Sequence, residues 1–130
     1  QVLHKNQDTY SYSAAAYVNY AKEFLAENYN RKVKVNDLAE RIGINRSYLA
    51  KSFKKMIGCS PQQFLVNLRM EKAVTMLKNT EFPINQIAAE VGYENPLTFS
   101  KIFKQRYGIS PKNYRGSASS FPTVQNDCVE

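Results

Sequence analysis

The sequence predicts an all-α fold of about seven helices, and three observations carry that prediction. Apolar side chains return every third or fourth residue through most of the chain, the period of an amphipathic helix. One stretch occurs twice, first at an offset of 49 and then, after one inserted residue, at an offset of 50. Between the copies lies a run whose apolar residues cover more than one side of a helix. Together they describe two helix-turn-helix subdomains joined by a long central helix.

Residues 1–12 show no sustained period and read as a linker or trimmed N-terminus; the missing initiating methionine predicts a fragment or processed chain. From about Ser13, the residues Tyr17, Val18, Ala21, Phe24, Leu25 and Asn28 recur at helical steps until Asn30-Arg31-Lys32 breaks the pattern. The repeat follows. Val35-Asn36-Asp37-Leu38-Ala39-Glu40-Arg41-Ile42-Gly43-Ile44 matches Ile84-Asn85-Gln86-Ile87-Ala88-Ala89-Glu90-Val91-Gly92-Tyr93. Lys51-Ser52-Phe53-Lys54 matches Lys101-Ile102-Phe103-Lys104, Gly58-Cys59-Ser60-Pro61 matches Gly108-Ile109-Ser110-Pro111, and Phe64 aligns with Tyr114.

Each copy reads as a short helix, a glycine turn and a second helix. Leu38, Ala39 and Ile42 form the apolar face of the first short helix, and Gly43 suits the left-handed conformation that ends it. Asn45 is placed to cap the next helix, whose apolar positions are Leu49, Phe53, Met56 and Ile57. In the second copy Asn95 caps, Pro96 takes the first helical position, and Phe99, Ile102, Phe103 and Tyr107 are the apolar set. The inserted residue falls between Gly92 and Asn95. Gln62 to Lys78 is the central helix, about 26 Å long at 1.5 Å per residue. The expected organisation is a first subdomain over 13–60, a connecting helix over 61–79, a second subdomain over 80–115 and a disordered tail over 116–130.

Composition narrows the function. Eighteen basic and eleven acidic side chains give a net charge of +7, which points to a polyanionic partner. The excess is concentrated: residues 31–61 carry eight basic and two acidic groups, and residues 84–115 five and two. The only histidine is His4, so neither a histidine acid–base pair nor a multi-histidine metal site can form, and no glycine-rich phosphate loop is present. No catalytic residue, metal site or cofactor is expected. No apolar run is long enough to span a bilayer, and no secretory leader opens the chain. Two cysteines, Cys59 and Cys128, do not make a disulfide framework, which fits a reduced cytoplasmic setting, with Cys59 a small packed side chain.

A helix, a tight turn and a second helix can place the second helix in the major groove of DNA, and a duplicated pair in a basic chain is a far stronger signal than one alone. The order Leu38-Ala39, Gly43, Leu49, Phe53-Lys54-Lys55, Gly58, Ser60-Pro61 resembles the first half of the DNA-binding region of the arabinose-regulator (AraC/XylS) family. Arg69-Met70-Glu71-Lys72-Ala73, Ile87-Ala88, Val91-Gly92-Tyr93, Phe99-Ser100-Lys101, Phe103-Lys104, Tyr107-Gly108, Ser110-Pro111 and Tyr114-Arg115 resemble the second half, so the likeness runs from about 15 to 115. The resemblance implies two units on one face of double-stranded DNA, transcriptional control in a bacterium and usually activation, hence contact with RNA polymerase. It also implies a ligand-sensing domain outside this chain, with sugars as the expected ligand.

Position by position, the resemblance places Arg46, Ser47, Ala50 and Lys51 of the first recognition helix, and Pro96, Leu97, Thr98 and Lys101 of the second, toward the groove. Lys51 and Lys101 suit guanine O6/N7, while Ala50, Leu97 or the Thr98 methyl suit thymine methyls. Lys54, Lys55 and Lys104 suit phosphates. Phe53, Phe99, Phe103 and Tyr93 read as core aromatics, and Arg69 as a structural partner rather than a DNA reader. A rival reading is a basic helical module that docks an acidic protein partner, but such a surface has no reason to duplicate the two lysines.

Overall fold

The computed structural model describes residues 7–116, with seven helices and no strand among them. In chain order they are α1 (Gln7–Asn28), α2 (Asn36–Ile42), α3 (Arg46–Ile57), α4 (Pro61–Asn79), α5 (Ile84–Glu90), α6 (Pro96–Tyr107) and α7 (Pro111–Gly116). The described residues form two compact units, one of residues 7–28 and 33–65, the other of residues 29–32 and 66–116.

In the first unit α1 and α2 both pack on α3. Val18, Ala21 and Leu25 of α1, Leu38 and Ala39 of α2, and Leu49 and Phe53 of α3 are buried. Alanine at 39 lets the two short-turn helices approach closely. Tyr17 meets Tyr48 edge-on at 6.3 Å between ring centroids, and Phe53 meets Phe64 at 5.5 Å.

The second unit repeats the plan. Ile87, Ala88 and Val91 pack with Phe99 and Phe103 of α6, with Met70, Ala73 and Leu77 of α4, and with Tyr114 of α7. Phe103 sits at the centre of an aromatic group, edge-on to Tyr107 at 4.5 Å and to Tyr114 at 5.6 Å. The α7 Arg115 guanidinium donates to three carbonyls: Leu77 at 3.3 Å, Phe82 at 2.5 Å and Thr80 at 3.1 Å. It thereby satisfies the Leu77 carbonyl in the last turn of α4 and two carbonyls of the segment that follows.

Arg69 is buried and structural. Its Nε donates to the Tyr29 carbonyl at 2.8 Å and a terminal nitrogen donates to the Arg31 carbonyl at 2.9 Å, while the guanidinium lies 4.9 Å from the Tyr93 ring centroid. Segment 29–32, which follows α1, is thus fastened inside the second unit.

Four expectations need correction. The first helix begins at Gln7, six residues before Ser13. The sequence of residues 7–12, QDTYSY, shows no sustained apolar period, so periodicity could not register a helix that simply extends one already begun. Met56, read as part of an apolar face, is 47% exposed although its spacing from Leu49 and Phe53 puts it on their stripe; it lies in the last turn of α3. Residues 111–116 form a helix that periodicity alone is too short to reveal, and it takes in Gly116, the first residue of the expected tail. Cys59 is fully buried as expected, but it is disulfide-bonded and not a free thiol. The remainder of the tail, Cys128 included, lies outside the described residues, as do His4 and residues 1–6.

Candidate nucleic-acid interface

The two turns are built alike. Gly43 adopts φ +91° as it ends α2, and the amides of Gly43 and Ile44 both donate to the Ala39 carbonyl. Gly92 adopts φ +104°, and the Tyr93 amide donates to the Ala88 carbonyl at 2.8 Å. A left-handed residue here turns the chain sharply enough for the next helix to start within a few residues.

Both second helices are then capped by asparagine. The Asn45 side-chain oxygen accepts from the amides of Ser47 at 2.8 Å and Tyr48 at 3.1 Å; that of Asn95 accepts from Leu97 at 2.8 Å. The inserted residue of the second turn is Glu94, which meets Lys32 at 3.1 Å in an exposed ion pair. From there the register is strict. Asn45 and Asn95, the starts and ends of α3 and α6, and the serines after them all stand 50 residues apart.

Each of these helices has a buried and a solvent-facing side. Leu49 and Phe53 are buried in α3, and Phe99 and Phe103 at the equivalent positions of α6. Arg46, Ser47, Ala50, Lys51, Lys54 and Lys55 are all exposed on α3; their spacing of one and four places them along one face. Leu97, Thr98, Lys101 and Lys104 are exposed on α6, and Pro96 is half-buried. Arg46, Lys51, Lys55, Lys101 and Lys104 have no carboxylate partner among the described residues. At 1.5 Å per residue each helix is about 18 Å long, enough to lie in a groove.

Two further side chains belong to these faces and were not singled out from the sequence. Gln105 is exposed at the position equivalent to Lys55, so the repeat offset alone could have found it. Lys34 shares an open hollow with Arg46 and Gln62, formed where the strand of chain before α2 meets the start of α3. No periodic signal marks it.

Two short helix-turn-helix units, each presenting a basic face on its second helix, define a DNA-binding module. Residues 38–117 match the helix-turn-helix domain family of the arabinose-regulator (AraC) type, and the chain belongs to that family. It is 41% identical over 98 residues to the lactose operon transcription activator of Staphylococcus xylosus, an alignment covering 75% of this chain and 35% of that protein. The chain therefore spans about a third of the length of that curated relative.

Among solved structures, it is similar to the C-terminal domain of AraT, a response regulator from Geobacillus stearothermophilus. The TM-score is 0.75 at 33% identity, covering 78% of this chain and 84% of that one. It is also similar to the DNA-binding domain of AdpA, a global transcriptional factor, in complex with a target DNA. There the TM-score is 0.69 at 25% identity, covering 82% and 93% of the two chains. The chain is an AraC-type DNA-binding domain of a transcription regulator. Among the described residues no helix is long and apolar enough to cross a membrane.

Proposed function

We propose that the chain controls transcription in a bacterium, usually as an activator, by placing α3 and α6 in successive major grooves on one face of the duplex, about 34 Å apart. The observation that supports this best is the fifty-residue register that puts Lys51 and Lys101 on the exposed faces of two equally capped helices. In this reading both lysines reach base edges, flanked by Arg46, Ser47 and Ala50 on α3 and by Pro96, Leu97 and Thr98 on α6. Lys54, Lys55 and Lys104, further along, hold phosphates and supply affinity without sequence information.

RNA polymerase is the second partner. A sensor domain outside this chain supplies regulation in the cytoplasm, with a sugar as its ligand. The name of the lactose operon relative supports that choice of ligand.

Selection of bound duplexes from a random pool, followed by footprinting, tests the proposal. A single protomer protecting two half-sites one helical turn apart is the expected result. Protection confined to one half-site, or no enriched sequence, would overturn it.

A further inference from the structure

The two modules are built to one plan, yet the opening turns of their recognition helices carry opposite chemistry. At equivalent positions α3 begins Arg46-Ser47 and α6 begins Pro96-Leu97. The first pair offers a guanidinium and a hydroxyl. The second offers no hydrogen-bonding side-chain atom, and the single amide within it, that of Leu97, already donates to Asn95.

Leu97 is 79% exposed, the most exposed large apolar side chain among the described residues, and it is not among the side chains packed on the second core. Water-exposed leucine at the tip of a helix, held on a proline-started and asparagine-capped backbone, is rigidly presented apolar area.

A base edge in the major groove offers one apolar group, the C5 methyl of thymine. We infer that Leu97, assisted by the methyl group of the exposed Thr98, reads thymine through its C5 methyl. The opening turn of α6 is then an apolar reader and that of α3 a polar one. This rests on the DNA-binding reading above and adds the chemistry of discrimination within it.

The test uses the duplex enriched from a random pool, resynthesised with deoxyuridine in place of each thymine in turn. Each version is titrated with the chain and with Leu97→Ala and Leu97→Met. At least one replacement should weaken binding about fourfold, the value of one buried methyl at 0.8 kcal/mol. That penalty should vanish in Leu97→Ala and persist in Leu97→Met, which keeps an apolar tip. Circular dichroism melts of both variants should match the parent, since position 97 is outside the core.

A flat deoxyuridine series on an enriched duplex overturns this inference and leaves DNA binding standing. So does a series in which every penalty survives in Leu97→Ala. Failure of any duplex to enrich removes both.

Discussion

Gly92 sits directly against the carbonyl of Tyr29: a Cβ at position 92 would stand 2.7 Å from that oxygen and 3.0 Å from the Arg69 Nε. The second turn, the α4 arginine and the segment after α1 therefore meet at one point with no room for a methyl group. Gly43, the equivalent residue of the first turn, has no atom within 4 Å of its Cβ position.

The pair separates backbone strain from crowding. Gly43→Ala should cost about 1–2 kcal/mol, the penalty of an L-residue in the left-handed region. Gly92→Ala carries the same penalty plus a clash with backbone, and should cost about 2 kcal/mol more by urea denaturation. Equal losses would show that segment 29–32 yields freely.

Arg115 offers a second stability test. Arg115→Ala leaves the carbonyls of Leu77, Thr80 and Phe82 without their donor, and the partly buried ones should cost about 1–3 kcal/mol in total. Arg115→Lys should recover only part of this, since an ammonium cannot span three acceptors with the geometry of a guanidinium. A thermal melt unchanged in Arg115→Ala would refute the role.

Lys51→Ala and Lys101→Ala should each weaken binding to an enriched duplex by about 1–3 kcal/mol if they contact bases. Affinity for random duplex should fall much less. Equal loss on both duplexes would move these lysines to the phosphate backbone.

Salt dependence gives the number of phosphates engaged. If six to eight are neutralised, log K against log salt should fall with a slope of about −5 to −7. A slope near zero in gel-shift titrations would count against groove binding by these basic faces.

Tyr107 sets an alkaline limit on the second unit. Burial pushes its phenol up from 10.0 to about 12, against the opposing pull of Arg106. The folded state therefore favours the protonated phenol more than the unfolded state does. The resulting stability is complete below pH 10 and is lost as pH rises from 10 toward 12. Tyr107→Phe should flatten the decline in Tm over that interval; an unchanged pH profile would contradict the assignment.

The legible parts of this fold were those fixed by local rules. Gly43, Asn45, Asn95 and Pro96 announce turn and cap because few residue types satisfy those backbone positions. Leu49, Phe53, Phe99 and Phe103 follow from period and repeat together, as does the exposed setting of Lys51 and Lys101. Arg69 was legible only as an exception on an apolar helix. Its acceptors are carbonyls 38 and 40 residues away, and no local pattern encodes them.

The anchoring role of Arg115 is hidden for the same reason, with all its acceptors supplied by distant backbone. The six-residue α7 was nonetheless latent in the repeat. Ser60 and Ser110 accept from the amides of Gln63 and Asn113, so Ser-Pro opens α7 as it opens α4. Recognising one as a helix start identifies the other.

The fastening of residues 29–32 by Arg69 has a consequence for synthesis on the ribosome. These four residues emerge between the first and second helices of the first module, yet the groups that hold them come from residue 69 and from the turn at 92–93. Once residue 65 has left the ribosome the first module's core can assemble, but the stretch behind its leading helix must wait, untethered, until the second turn has emerged.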